Sequence, residues 1–331
     1  MTATPQVSVL MTVYNGLPYL EQSLQSVRSQ TFRDYEFVIV DDGSKDGSVE
    51  VLRRYAAEDP RIRLISNEVN KGQTPCLNQG IAEARGTWIA RQDADDLSDP
   101  RRLELQMREV TARPHLALLG ANGWLIDSEG RSLGLINAPV GEDGVRWSSV
   151  FYNPFLHTAV LFRRELALSL SGYSTAFRIA QDYDLWMRIM EQHPADNLAE
   201  RLVTYRVHGK SLSNSDRDTT TREAEVSCRR SLASLGLGAF QDAESLALIG
   251  AFREGITPAS LGKFWRLHAR MKAASGQRGD FANALALMHW KAAGALAGAS
   301  KPHAVGEVAR AFLTAPALVA ALFRDRRNPP A

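Results

Sequence analysis

Three carboxylates fall within four residues at Asp93, Asp95 and Asp96, in the segment WIARQDADDLSDPRRL (Trp88 to Leu103). An apolar run leads into them, and a Ser-Asp-Pro helix start follows. Carboxylates crowded this closely repel one another unless a cation compensates them. Hard oxygen ligands suit Mg²⁺ or Mn²⁺, which commonly bind through one or two carboxylates and substrate phosphates. A solvated acidic loop before a helix N-terminus would explain a lone D-x-D equally well. Its place directly after a strand, in line with two other polar strand ends, favours the cation. A second pair, Asp41 and Asp42, lies in VIVDDGSKDGS (Val38 to Ser48), where Gly43 supplies a flexible turn. A carboxylate there is suited to accept hydrogen bonds from a base N–H or ribose hydroxyls. D-D-G-S is also a good turn sequence and alone decides nothing.

The elements that must position these groups alternate regularly. Val7 to Val13 is nearly continuous apolar sequence, as expected of a strand covered on both faces. Leu17 to Gln30 places Leu20, Leu24 and Val27 on one helical face. Glu36 to Val40 predicts a second strand, Val49 to Ala57 a second helix and Ile62 to Ser66 a third strand. Thr74-Pro75 predicts an N-cap with proline at the first helical position. Thr87 to Arg91 predicts a fourth strand, and Ser98-Asp99-Pro100 opens another helix by the same logic. Such alternation means parallel βαβ units in a doubly wound sheet, which binds ligands beyond the carboxyl ends of its strands. Thr12 to Asn15, Asp41 to Ser44 and Asp93 to Asp96 each follow a strand directly. From Leu116 to about His208 longer strands mix with short helices. Leu116 to Ile126 and Leu198 to Val207 read as strands, His157 to Phe162 as strand-like and Asp182 to Glu191 as a helix. After Ser215 the chain is helical and rich in alanine, so the domains are predicted as 1–215 and 216–331.

At this point a family pattern emerges. VSVLMTVYNG (Val7 to Gly16), VDDGSKDGS, NKGQTPCLNQGIAEARG (Asn70 to Gly86) and ARQDADDLSDPRRL match, in order and spacing, a family-2 glycosyltransferase with the GT-A fold. The resemblance continues through NPFLHTAVLFRR (Asn153 to Arg164), AQDYDLWMRI (Ala180 to Ile189) and YRVHGKSLS (Tyr205 to Ser213). It covers about the first two-thirds of the chain. It implies an α/β fold with a mostly parallel sheet flanked by helices, followed here by a helical extension. It also implies an inverting enzyme that uses a nucleotide-diphosphate sugar and Mn²⁺ or Mg²⁺, with a glycan or lipid-linked glycan as acceptor.

Residue by residue, the resemblance implies that Thr12 and Tyr14 frame the nucleotide pocket, that Asp42 binds the base, and that Asn78 lies near it. Asp93 and Asp95 would hold the ribose, the diphosphate and the metal, with Asp96 sharing that role. Asp182 would be the catalytic base. Family members commonly have Glu-Asp there, whereas this chain has Gln181-Asp182, which removes a negative neighbour that could raise the base's pKa. His208 would complete the metal shell. His157 is left between a phosphate or acceptor contact and a packed histidine, and Trp186 is a candidate platform for a sugar face. Cys76 reads as a small buried group. Arg101 and Arg102, at a helix start, read as solvated, with phosphate contact as the alternative.

The whole-chain numbers set the remaining bounds. In 331 residues, 44% hydrophobic and 23% charged residues describe an ordinary globular protein. A net charge of +2 favours neither nucleic acid nor any other strongly charged partner. Two distant cysteines provide no disulfide framework. The N-terminal apolar run has no basic n-region, and no stretch approaches the ~20 residues of a membrane span. A cytoplasmic protein is expected. A peripheral contact with the inner face of the cell membrane through the C-terminal helices, and a homo-oligomer, are alternatives to simple packing of those helices. No G-x-G-x-x-G, P-loop, G-x-S-x-G or H-E-x-x-H is present. A sugar-phosphate nucleotidyltransferase would want a basic, glycine-rich loop where MTVYNG stands. A nucleotide-sugar-binding protein that has lost catalysis is suggested only by Gln181.

Overall fold

The seven residues Val7–Val13 form the first strand, β1, and bury nearly every side chain, as an apolar run without alternation requires. The computed structural model describes residues 4–209, 216–254, 256–274, 282–297 and 300–314. The order continues with α1 (Leu20–Arg28), β2 (Tyr35–Asp41), α2 (Ser48–Glu58), β3 (Ile62–Ser66), α3 (Gln73–Glu83) and β4 (Trp88–Asp93). These strands are parallel, and β1 lies between β2 and β4. The chain therefore winds outward from β1 in one direction and then the other, opening a crevice at the carboxyl ends of β1 and β4. The ladder sets Thr12 beside Asp93 and Val13 beside Asp41.

The sheet is then extended by β5 (Leu97–Ser98), β6 (Leu118–Ile126), β7 (Ser132–Ile136), β8 (Leu161–Arg163) and β9 (Ala195–Arg206), with α4 (Arg102–Ala112), α6 (Arg164–Ser169) and α7 (Gln181–Met190) between them. Strand order is β3-β2-β1-β4-β8-β6-β9-β5, with β7 on β6. β8 runs antiparallel to both β4 and β6, whereas β9 runs parallel to β6. Val9, Met11, Phe37, Ile39 and Ala90 pack from the sheet against Leu20, Leu24, Val27 and Leu52. Each fully buried Leu, Ile or Phe contributes on the order of 1.5–3 kcal/mol, so the central strands anchor the crevice. On the other side, a Cβ at Gly80 would lie 2.2 Å from Leu10 Cδ1, so α3 sits directly on β1.

Several local expectations shift. α3 begins at Gln73 with Gly72 at its N-cap position, so Thr74 lies inside the helix and caps nothing. α4 begins at Arg102, two residues beyond Pro100, and Asp99 instead accepts the backbone N–H of Arg101. His157 to Phe162 is not a continuous strand: His157–Ala159 forms a 3₁₀ turn, and strand pairing starts at Leu161.

The chain divides into two compact units, Met1–Ile136 with Phe155–Ser215, and Asn137–Pro154 with Asp216–Pro330. The second unit is helical: α5 (Glu142–Ser148), α8 (Arg217–Ser234), α9 (Ala243–Glu254), α10 (Pro258–Ala274), α11 (Ala282–Leu296) and α12 (Lys301–Thr314). Asn137–Pro154, which the sequence pattern grouped with the sheet, contributes Trp147, Val150 and Phe151 to the helical core. Phe252 and Phe264 stack at 4.4 Å in that core. The apolar stretch from Ala315 to Phe323, and Arg324, Arg326 and Arg327, lie outside the described residues. Among the described residues no helix is long and apolar enough to cross a membrane.

Candidate active site

The turns after β1 and β2 are clamped together. Asn15 has a φ of 51°, and its Oδ1 accepts the backbone N–H of Lys45 at 2.8 Å. Ser44 and Ser48 hydroxyls accept from the backbone N–H groups of Asn15 and Gly16, both at 2.9 Å. Asp46 accepts from Leu17 N–H. Burial pushes the Asp46 pKa up, but hydrogen bonds from Ser48 and Leu17 outweigh it and hold the carboxyl below its ordinary range. Tyr14, 53% exposed, stands at the tip of this clamp. Asp42 is buried, and its two carboxylate oxygens accept the backbone N–H groups of Lys71 and Gly72 at 2.8 and 2.9 Å. It therefore fixes the loop after β3. Cys76 is buried nearby, its thiol pushed up to about 12 by burial and by the charge of Asp42.

Behind the D-x-D loop lies a charged core that the apolar strand pattern did not suggest. Arg91, on β4, is fully buried. It donates to Asp93 Oδ1 at 2.6 Å, to Thr12 Oγ1 at 3.4 Å and to the carbonyls of Leu10 and Gln92. Arg102 is not solvated, as a helix-start arginine would be. It is buried and donates to Gln92, Ser98, Gln106 and the carbonyls of Arg91 and Val160. Burial, with Arg91 adding to it, lowers its pKa to about 9. Asp96 is 1% exposed and accepts the backbone N–H of Arg206 at 2.7 Å, joining β9 to the loop. Asp96 thus holds the loop from inside.

Asp93 and Asp95 keep about a fifth and a third of their side-chain surfaces exposed. Burial, and then repulsion from Asp93, raises the pKa of Asp95, while His208 opposes the rise. His208 Nε2 lies 2.8 Å from Asp95 Oδ2, with its ring 5.3 Å from Tyr19. Arg206 spans the same corner, with its guanidinium 4.5 Å from the Tyr19 ring and its Nε donating to the Asp95 carbonyl. Lys210 to Ser213 of the YRVHGKSLS segment lie outside the described residues.

Among the described residues no three ligand-type side chains converge into a complete metal cage. Asp95 and His208 form a pair that fits part of a shell, with two crowded carboxylates whose repulsion a cation would relieve. Asp93 Oδ1 is engaged by Arg91, leaving its second oxygen for a ligand.

A polar clamp joins groups 95 residues apart in the chain. Asn78 Nδ2 donates to the Tyr173 carbonyl and its Oδ1 accepts the Tyr173 N–H, both at 2.8 Å. Both ends of the amide are thus used in anchoring Tyr173. Gly172, at φ +69°, makes the approach feasible, because a Cβ there would lie 2.3 Å from Asn78 Oδ1. The Tyr173 hydroxyl meets His157 Nε2 at 3.0 Å. Burial, assisted by Arg91, lowers the His157 pKa to about 3, so the ring is neutral at pH 7. Burial raises the Tyr173 phenol; Arg91 opposes this, whereas Asp182 and Asp93 both add to it.

Asp182 is half-buried in the first turn of α7, and its Oδ1 accepts the Tyr183 N–H. Gln181 is buried and donates to Gln73 at 3.0 Å, while its own Oε1 has no hydrogen-bond partner. Trp186 is fully buried among Phe155, His157, Phe162 and Tyr173, so it offers no face to a sugar.

A doubly wound, mostly parallel sheet with a D-x-D loop at the carboxyl end of β4 is the architecture of the GT-A class of glycosyltransferases. Residues 8–150 match the family model described as "Glycosyl transferase family 2". The putative glycosyltransferase EpsE of Bacillus subtilis is 36% identical over 210 residues, covering 62% of this chain and 74% of EpsE. The O-antigen biosynthesis glycosyltransferase WbnJ of Escherichia coli is 32% identical over 214 residues, 63% of this chain and 82% of WbnJ. The chain belongs to glycosyltransferase family 2. The S. aureus TarS 1-349 structure in complex with UDP-GlcNAc superposes with a TM-score of 0.57, at 16% identity over 98% of this chain and 93% of TarS 1-349. The mannosyltransferase PcManGT of Pyrobaculum calidifontis, in complex with GDP-Man and Mn²⁺, gives 0.52 at 20% identity over 97% of this chain and 86% of PcManGT. At these identities the likeness is one of fold.

Proposed function

We propose that the sheet unit is the catalytic domain and moves a sugar from a nucleotide-diphosphate donor to an acceptor hydroxyl with inversion at the anomeric carbon. The observation that carries this reading is the D-x-D loop at the carboxyl end of β4, where the partly exposed Asp93 and Asp95 stand beside His208, 2.8 Å from Asp95. Thr12 and Tyr14 border the nucleotide, with Asp42 shaping its pocket through the Lys71–Gly72 backbone. Asp93 and Asp95 face the ribose and diphosphate, and Asp95 with His208 would hold Mn²⁺ or Mg²⁺. A divalent cation there would neutralise the charge developing on the departing diphosphate.

Asp182 accepts the proton of the acceptor hydroxyl as its oxygen bonds to the anomeric carbon. The bond to the nucleotide diphosphate breaks on the opposite face, which inverts the configuration. One carboxylate is enough, because the leaving group needs charge neutralisation rather than a proton. The names of WbnJ and of the amylovoran biosynthesis glycosyltransferase AmsE of Erwinia amylovora, 32% identical over 227 residues, support a glycan acceptor.

The test is a thermal-shift panel of nucleotide diphosphates and nucleotide sugars, with Mn²⁺ or EDTA, followed by turnover of the stabilising donor. Stabilisation rises with donor affinity by mass action. One donor family should stabilise the protein in Mn²⁺, with turnover lost in EDTA. Stabilisation without any turnover would mark a binding protein that has lost catalysis. No stabilisation by any nucleotide sugar would overturn the reading.

A further inference from the structure

Asp93 ends β4 at a point where the neighbouring strand has already stopped. β8 pairs with β4 from Trp88 to Ala90, and the Arg91 N–H then reaches the Val160 carbonyl at 3.0 Å. The Asp93 N–H, two residues on, leaves β4 by the same edge. There the facing chain has turned into the 3₁₀ turn His157–Ala159 instead of continuing as strand. A side chain takes the place of the strand carbonyl: Thr158 Oγ1 accepts the Asp93 N–H at 3.2 Å. Thr158 is wholly buried. The Asp93 carbonyl is also held by side chains, with Ser23 Oγ donating at 2.8 Å and Gln92 Nε2 at 3.1 Å.

The turn that presents Thr158 is itself braced. His157 Nε2 meets the Tyr173 hydroxyl at 3.0 Å before it, and the Ala159 carbonyl accepts Gln106 Nε2 at 2.8 Å after it. Arg102 donates to the next carbonyl, that of Val160. A hydroxyl on so fixed a turn sets where the Gln92–Asp93 peptide lies. That peptide leads into the Asp93 side chain, whose Oδ1 accepts Arg91 at 2.6 Å, and into the turn that carries Asp95. A hydroxyl that only satisfied a buried N–H would serve stability alone. Thr158 differs in that its partner bears a partly exposed carboxylate of the D-x-D loop.

We propose that Thr158 is a positioning residue for nucleotide-sugar binding: its hydroxyl sets the peptide that aims Asp93, and the turn to Asp95, at the diphosphate and its cation. The inference rests on the reading of Asp93 and Asp95 as the residues that face those groups. Carboxylates serve a cation within a narrow range of positions, and removing a partner that holds them typically costs about 10–100-fold in affinity or activity. Thr158→Val keeps the branched shape of the side chain and removes its oxygen.

The experiment titrates the full chain with UDP, GDP, CDP, ADP and dTDP in Mn²⁺ by calorimetry, and then measures KM and kcat with the matching nucleotide sugar. Thr158→Val should weaken nucleotide binding and raise the Mn²⁺ concentration that half-supports it, each by about tenfold, with a similar rise in KM and kcat within about threefold of wild type. Thr158→Ser restores the oxygen and should bring binding back to within about threefold of wild type. Val27→Ala is the comparison for stability: Val27 is buried in the last turn of α1, where its carbonyl accepts the Tyr35 hydroxyl at the start of β2. It should lower Tm and leave nucleotide and Mn²⁺ binding unchanged. Should Thr158→Val show no thermal unfolding transition, Thr158→Ala against Thr158→Ser makes the same comparison. Wild-type nucleotide binding in the variant without the hydroxyl would overturn this inference alone, as would equal weakening by Val27→Ala or no rescue by serine. A wild-type chain that binds none of the nucleotides would overturn both this inference and the glycosyl-transfer reading.

Discussion

Replacing the Asp182 carboxylate with an isosteric amide removes a base but preserves the shape of the first turn of α7. Asp182→Asn is expected to retain donor binding by thermal shift while kcat falls by about 10² or more. Wild-type turnover would exclude Asp182 as the base. Arg91 makes a different prediction, because it acts on Asp93 from inside the sheet. Arg91→Met should raise the donor KM and the Mn²⁺ requirement by about tenfold and destabilise the unit by roughly 3 kcal/mol, since it leaves a partly buried carboxylate without its cation. A double-mutant cycle with Asp93→Asn checks this. Additive effects on donor KM would show that Arg91 serves only the fold.

Arg91 was legible in principle as an arginine inside an otherwise apolar strand, but that pattern fixes a face and not a partner. Asp42 and Asn78 show the converse: both were picked out by the family resemblance, yet their partners are backbone groups of Lys71, Gly72 and Tyr173. A side-chain pattern carries no record of backbone N–H groups brought close by folding.

At the scale of elements, strand and helix alternation over the first hundred residues was readable because buried parallel strands are continuous apolar runs. Helix starts were less so. Thr74-Pro75 and Ser98-Asp99-Pro100 carry the signature of caps, yet neighbouring chain competes for the same groups, and Gly72 and Arg101 occupy the N-cap positions. The 3₁₀ turn at His157–Ala159 was equally hidden, because three residues are too few to show a period.

The α6–α7 connection supplies a test at this scale. Gly172→Ala would place a methyl against Asn78 Oδ1 and force a left-handed φ on alanine. The expected cost is on the order of 1–2 kcal/mol, read as a lower Tm, with a drop in kcat as Tyr173 shifts. A variant with unchanged Tm and kcat would remove Tyr173 anchoring from the account.

For the whole molecule, two buried histidines couple stability to pH. His157 and His268 have folded pKa values near 3 and 4, below the ordinary 6.5. Between those values and about 6.5 the unfolded chain binds protons that the folded chain refuses, so stability falls as pH falls through this window. Each group contributes at most ~1.4 kcal/mol per pH unit. Denaturant unfolding from pH 7 to 4.5 should show this slope, and His157→Gln and His268→Gln should each flatten it. A slope unchanged in both variants would mean that other groups control it.

The chain's path through the two units has a consequence for how the protein can be made. After β7 it leaves the sheet, deposits Trp147, Val150 and Phe151 in the helical core, and returns at Phe155. A ribosome therefore releases this aromatic plug long before the helices from Arg217 onward exist to cover it. A fragment stopped at residue 215 would carry three large apolar side chains in water, and is expected to self-associate during expression. Replacing 137–154 with a short Gly-Ser bridge should make that fragment monodisperse in size-exclusion chromatography.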